Sequence, residues 1–395
     1  MYIYNQTCVW YNKTMNKAIK YRLYPTKEQI EYFNKCFGCC RYIYNQGLDW
    51  RIKAYNADGT YLNYNDTAFG LTALKRQNSW LREVDSIALQ QSLRNLDTAF
   101  KNFFNKPKSG FPKFKSRKNS RKSYTTINQN GTVAVIDDKH IRIPKAGVIR
   151  ATVHRMPETR WKLKSATVSM DCDGKYYISM LFEYVSCVTP VSVSNKIIGF
   201  DYKSDGLYMD SNGNIGSDHK YFRESHKKLA KEQRKLSRKV GSKKNEPKSK
   251  NYIKQQLKVN KIHKHIANQR LDNLHKKSSE IANQFDVACA ESLDMKAMSN
   301  KGFGNGKATM DNGYGIFLNM LEYKLNDRGK YFIKVDKWYP SSQICCNCGS
   351  IHKLSLNERT YRCECGLVLD RDLNAAINIR NEGLRILQSK NTKVG

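Results

Sequence analysis

The sequence predicts a multidomain α+β protein, and three observations carry that reading. Helix-period apolar stripes lie between Ile30 and Phe104, short alternating runs fill 123–188, and paired cysteines stand near the C-terminus. With 395 residues, 40% of them apolar, the chain has room for two or three domains, each with its own core.

Residues 1–14 (MYIYNQTCVWYNKT) lack the basic start, apolar core and cleavage site of a secretory leader, and read as an extension ahead of Met15. Residues 16–24 (NKAIKYRLY) alternate up to Pro25, as a short strand does. Thr26 and Gln29 then form a capping-box pattern, after which Ile30, Phe33, Phe37, Cys40 and Tyr44 recur at helical spacing. A second helix is expected from about Ser86 to Phe104, with Leu89, Leu93, Leu96, Phe100 and Phe103 on one face. Such stripes are core, and periodicity alone gives them no chemistry. From Ser123 to Val188 the runs GTVAVI, HIRIP, VIRATVHR, ATVSMDC and KYYISMLFEY predict an antiparallel sheet or small barrel. Residues 189–195 (TPVSVSN) read as a linker, and 220–280 as a helical hairpin broken near Gly241–Pro247.

The charge narrows the partner. Lys and Arg number 69 against 35 Asp and Glu, a formal charge of +34, more than solubility needs. A surface so positive attracts polyphosphate with strongly salt-dependent affinity. The excess is concentrated: residues 101–123 hold nine Lys/Arg and no acid, and 220–280 hold 20 Lys/Arg against five acids. Phe103, Phe104, Phe111 and Phe114 interleave the first stretch, as a backbone-tracking groove with stacking platforms would require. No apolar run approaches the length that spans a bilayer, so a membrane partner is not expected.

Five of the twelve cysteines fall between Cys345 and Cys365; without an export signal such clustering points to metal and a cytosolic protein. Cys345 and Cys348 form one knuckle, Cys363 and Cys365 the other, separated by 14 residues. Four thiolates so placed suit tetrahedral zinc, with Cys346 and His352 as substitutes, and a ribbon this small needs its metal to fold. Three acids also stand out. Ile197–Asp201 and Phe285–Glu291 are apolar strands ending in a carboxylate, and Asp370-Arg371-Asp372 opens a helix. Carboxylates gathered from separate elements need a hard divalent cation between them, although each acid singly reads as a cap or a surface charge.

The segments KYRLYPTKEQ, FGCCRYIYN, ALQQSLRNLDTAFKNFF, GFPKFKSRK, IGFDYKSDG, AESLDMKAM, PSSQICCNCG and CGLVLDRDLNAAIN, in this order, give a chain that resembles TnpB. TnpB is the OrfB protein of bacterial insertion sequences, related to compact type V CRISPR nucleases. The resemblance runs from about Met15 to Ile386 and departs from the pattern at the C-x-C second knuckle. It implies a wedge, OB-like β-barrel from 15–24 and 124–190, with a helical recognition insert at 25–123. It further implies an RNase H-like (RuvC) nuclease from 191–218, 281–338 and 367–395, a basic insertion at 219–280 and a zinc ribbon at 339–366. On matching motifs Asp201, Glu291 and Asp372 take the catalytic, Mg2+- or Mn2+-binding positions. Cys345, Cys348, Cys363 and Cys365 take the zinc. The implied activity is RNA-guided cleavage of double-stranded DNA beside a short flanking motif, with a guide RNA from the transposon end, in the prokaryotic cytoplasm. Tyr44, Asn45, Gln90, Arg94, Lys113 and Lys115 are candidate nucleic-acid contacts. Two other functions compete: a guided binder without nuclease activity, which the three retained acids oppose, and an RNA-independent transposase. The latter needs a tyrosine nucleophile beside a histidine pair, whereas His263 and His265 lie in the basic helical stretch.

Overall fold

A computed structural model describes residues 13–106, 109–118, 121–186, 188–216, 220–243, 246–300, 306–355 and 358–392. The extension expected at 1–14 lies almost wholly outside them. The chain divides into two compact units, one spanning Asn12–Ser186 and the other running from Cys187 to the C-terminus.

The first unit is built on an antiparallel sheet. Its seven strands are β1 (Lys13–Tyr24), β2 (Ser123–Ile127), β3 (Ala134–Val135), β4 (His140–Ile143), β5 (Gly147–Thr152), β6 (Lys162–Met170) and β7 (Tyr176–Ser186), in the order β2-β6-β7-β1-β5-β4-β3. β1 buries alternate residues Ile19, Tyr21 and Leu23, as the two-residue pleat demands. It pairs with β7 over Lys13–Leu23 but with β5 only at Arg22–Tyr24, so it joins the two halves of the sheet.

Between β1 and β2 run α1 (Lys27–Asp58), α2 (Tyr64–Gln77) and α3 (Ser86–Asn105). The Thr26 capping box opens α1, with Gln29 reaching back to the Thr26 N–H at 3.0 Å. The stripe Phe33, Phe37, Cys40, Ile43 and Leu48 turns inward, and α3 answers with Leu89, Leu93, Leu96 and Phe100. These helices share one core with the strands: Phe33 lies 5.7 Å from Tyr176, and Phe37 5.9 Å from Tyr124, between ring centroids. α2 was not legible in the sequence, because its burial reduces to Thr67 and Leu71.

The second unit holds a four-stranded sheet of β8 (Ile197–Lys203), β9 (Leu207–Asp210), β10 (Val287–Glu291) and β11 (Tyr331–Val335), ordered β11-β10-β8-β9. β10 is parallel to β8 and β11, and β9 returns antiparallel to β8. Helices cover both faces, which explains the unbroken apolar runs of β8 and β10. On one side pack α5 (Lys250–Gln284) and α8 (Tyr314–Asn326), through Leu274, Ile281, Phe317 and Leu321. On the other lies α9 (Arg371–Thr392), through Ile379 and Leu387. The backbone of α9 comes so close that a Cβ at Gly199 would overlap the Ala376 carbonyl, and one at Gly383 would overlap the Cys289 thiol. The expected basic hairpin is α4 (Tyr221–Ser237) followed by α5, which Ser249 caps. Two short helices, α6 (Met295–Met298) and α7 (Gly306–Asn312), follow β10, and a small hairpin of β12 (Thr360–Arg362) and β13 (Val368–Asp370) precedes α9.

Candidate active site and metal centre

The three expected acids arrive at one cleft from three elements. Asp201 is carried by β8, which runs two residues beyond it, while Glu291 closes β10 and Asp372 sits in the first turn of α9. All three line a cavity of about 990 Å³, together with Lys203, Trp338, Gln343, Arg359 and Arg371. Burial, then the charges of Asp372 and Glu291, push the Asp201 carboxyl up to about 8. Burial and Asp336 push Glu291 up to about 7. The three carboxylates offer the hard oxygens that Mg2+ or Mn2+ prefers, with Lys203, Arg359 and Arg371 along the same cavity.

Lys203 and Asp370 settle how Asp372 is held. Two residues after Asp201 on the same strand, Lys203 points to the same side of the pleat and forms a salt bridge from Nζ to Asp372 Oδ2. That partner was missed in the sequence, although the two-residue spacing from Asp201 was a signal for it. Asp370 serves as the cap of α9: its Oδ1 accepts from the N–H of Asp372 at 2.8 Å and of Leu373 at 3.1 Å.

The second centre is a thiol cluster. The Sγ atoms of Cys345, Cys348, Cys363 and Cys365 all lie within 4.8 Å of one another, a gathering that no other Cys, His or acidic group matches among the described residues. Cys345–Cys365 and Cys348–Cys363 are separated by 3.7 and 3.5 Å. A tetrahedron with Zn–S bonds of about 2.3 Å has edges of about 3.8 Å, so the four thiols fit zinc. Ser350, hydrogen-bonded to Cys348, holds that thiol down at about 6, which favours thiolate. Cys346 stands outside the cluster; its backbone N–H donates to Asn374 Oδ1 at 3.0 Å. His352 Nε2 lies 3.4 Å from Cys363 Sγ, beside the set and not within it.

The two centres share a support. Asn374 donates to the Ile344 carbonyl at 2.7 Å, and Asn378, one turn on, donates to Ser341 and Ile344 carbonyls at 2.8 and 2.7 Å. Both asparagines are buried, so α9 grips the first knuckle two residues after Asp372. Next to them Ala375 and Ala376 are buried and small, as a helix packed close to a sheet requires.

In the first unit the candidate contact residues divide. Asn45 exchanges two hydrogen bonds with the backbone of Lys115, at 2.9 and 2.8 Å, and Tyr44 is buried with the Lys115 ammonium 3.6 Å from its ring centre. Both therefore position the basic loop, and their side chains are committed to the protein. Lys113 and Lys115 line a cavity of about 630 Å³ with Arg41, Arg121, Lys122 and Phe114, and no acid among the described residues lines it. Gln90 and Arg94 are exposed on α3, with Arg94 over the Tyr64 ring at 4.3 Å. The four phenylalanines do not form one strip. Phe103, Phe104 and Phe111 pack on one another, and only Phe114 joins the basic cavity.

Among solved structures, a Cas12f1–sgRNA–target DNA complex superposes with a TM-score of 0.52 at 14% identity, covering 93% of this chain and 99% of that one. At that identity the likeness is one of fold, and the fold is of the Cas12f1 class. Three family profiles match: "Helix-turn-helix domain" at residues 15–60, "Probable transposase" at 179–301 and "Cas12f1-like, TNB domain" at 314–379. The first stretch here folds as β1 and the single helix α1 rather than as two helices. A Streptomyces pristinaespiralis protein, provisionally named as an RNA-guided DNA endonuclease, is 35% identical over 94% of this chain and 90% of its own length. InsQ of Escherichia coli K12, named likewise, is 32% identical over 94% and 93%. The chain belongs to the TnpB (OrfB) family of insertion-sequence proteins.

Proposed function

We propose that this protein is an RNA-guided, divalent-metal-dependent DNA endonuclease of a transposable element, cutting DNA beside a short flanking motif. The observation that carries the reading is the meeting of Asp201, Glu291 and Asp372 at one cleft, from two parallel strands and the helix that crosses them. Mg2+ or Mn2+ held by these three carboxylates would activate water and stabilise the leaving oxygen of a phosphodiester. Asp201 and Glu291 are partly buried donors, Asp370 fixes the first turn of α9 so that Asp372 faces them, and Lys203 balances Asp372.

On this reading the second unit is a RuvC-like domain assembled from 191–218, 281–338 and 367–395, with the basic hairpin of 219–280 inserted and a zinc ribbon at 339–366. The first unit is a wedge barrel with recognition helices, and its acid-free basic cavity suits a phosphate backbone. Relatives named as RNA-guided DNA endonucleases across nearly the whole chain support RNA and DNA as partners, here read as a guide RNA and a double-stranded target. No described helix is long and apolar enough to cross a membrane. The test is plasmid cleavage by protein co-expressed with its flanking locus, alongside sequencing of co-purified RNA. Cleavage that requires Mg2+ and a co-purified RNA supports the reading, and nucleic-acid-free protein without salt-sensitive RNA affinity overturns it.

A further inference from the structure

The first unit carries a second cavity that the proposed chemistry does not use. It lies between the C-terminal ends of α1 and α3, has a volume of about 420 Å³, and is lined by Arg51, Tyr55, Tyr61, Phe100, Phe104 and Phe111 among others. That volume is within the range of small-ligand sites, about 300–1,000 Å³. Its rim is aromatic and open to solvent: Tyr55 is 66% exposed, Phe104 62%, Tyr61 52% and Phe111 47%. A soluble chain rarely leaves so many large rings around one opening without a partner.

One wall supplies polarity. Arg51 is 4% exposed, and its guanidinium lies 4.9 Å from the Phe100 ring centre and 5.9 Å from that of Tyr61. One nitrogen donates to Asp97 at 2.9 Å, but Asp97 also takes Lys101 at 3.0 Å, and Arg51 Nε and Nη1 have no hydrogen-bond partner. Unpaired buried donors on a charged group are costly. A planar ligand with flat apolar faces would use the exposed rings of this rim, beside the guanidinium that lies behind them.

We propose that this pocket binds an unpaired nucleobase of single-stranded nucleic acid. Aromatic rings stack on any base, and a positive charge behind the rings strengthens the attraction. The charge of the adjoining segment selects this occupant: Lys101 to Lys122 holds nine Lys/Arg and no acid, and Lys113, Lys115, Arg121 and Lys122 among them line the basic cavity described above, so this segment attracts a polyphosphate strand. The inference rests on the nucleic-acid reading of the protein and deepens it.

The test is ultraviolet cross-linking of the full chain to a short, mixed-sequence, single-stranded RNA substituted with photoreactive thiouridine, followed by peptide mass spectrometry. Adducts are expected on Tyr55, Tyr61, Phe104 or Phe111. Phe104→Ala and Tyr55→Ala, which remove exposed rings, should lower adduct yield at the remaining pocket residues by roughly tenfold while leaving the melting temperature unchanged. Arg51→Met should lower the yield too, and a thermal melt checks that it folds. Adducts confined to other basic regions would overturn the pocket while leaving RNA binding intact. No adduct anywhere would overturn both. A pocket that is adduct-free and buried in a dimer, as judged by light scattering, would show that a second copy is the occupant and overturn the proposal.

Discussion

The thiol cluster and the carboxylate cluster sit at either end of the same few residues of α9, yet they are opposite kinds of site. The four thiols are drawn within 4.8 Å of one another by two short knuckles, with backbone groups and Ser350 arranged around them. The three acids come from elements separated by dozens of residues, open onto a cavity of about 990 Å³, and repel one another. A closed set of donors suits a metal that holds the chain together. An open set with room beside it suits a metal that meets a substrate.

The sharpest way to break this contrast is to remove one acid. Asp372→Ala should cut magnesium-dependent plasmid cleavage by roughly a thousandfold or more, as loss of several kcal/mol of transition-state stabilisation implies. RNA and target binding should persist, measured by filter retention. Full cleavage by this variant would end the mechanism proposed here. On the other centre, Cys363→Ser or Cys365→Ser should release zinc, measured by elemental analysis, and unfold the ribbon, because metal binding there is folding free energy. Cleavage should fall as well, through the bonds that Asn374 and Asn378 of α9 make to the first knuckle. Loss of zinc from Cys346→Ser instead would reassign the ligands.

Acidity offers a third comparison. Unfolded Asp and Glu titrate near about 3.9 and 4.3. In the folded chain Asp201 is held at about 8 and Glu291 at about 7. Between those limits the native state binds more protons than the unfolded one, so stability falls as pH rises from about 4 to about 8. Melting temperatures of magnesium-free, zinc-loaded protein should decline across that window, and Mg2+ should flatten the decline. Asp201→Asn should make it shallower without metal, leaving the part that Glu291 contributes. A melting temperature that rises with pH would contradict the assigned burial.

Two smaller effects refine the acid site. Lys203 competes with any cation for Asp372, and its ammonium and that carboxylate are each less than a quarter exposed. Lys203→Met should tighten Mn2+ binding by roughly two- to fivefold, read by calorimetry, and lower metal-free stability. Asp370→Ala removes two hydrogen bonds at the start of α9 and should cost about 0.5–2 kcal/mol in denaturant unfolding, with cutting retained.

What was legible in the sequence follows from range. Thr26 and Gln29 act within one turn, so the capping box could be read directly, as could the α3 stripe and the cysteine knuckles. Asp370 as a cap was legible for the same reason. The meeting of Asp201, Glu291 and Asp372 was not, because strand order and the close approach of α9 at Gly199 decide it; only the ordered motifs of the family pointed there. Tyr44 and Asn45 look like contact residues as a string and prove to be spent on Lys115, a pairing across seventy positions that local pattern does not encode. The separation of Phe103, Phe104 and Phe111 from Phe114 likewise depends on how the chain turns after α3.

The grip of α9 on the knuckle also sets rules for engineering. Between Cys348 and Cys363, Ser350 and β12 (Thr360–Arg362) are committed to the ribbon, and an insertion between them leaves the donors' mutual placement to the knuckles themselves. Within Asp372–Asn378 there is no such freedom. One added residue turns everything beyond it by about 100°, carrying Asn374 and Asn378 off the Ile344 carbonyl or Asp372 out of the cleft. A tag or fused domain therefore belongs in the loop between the knuckles, and the helix start must be kept residue for residue.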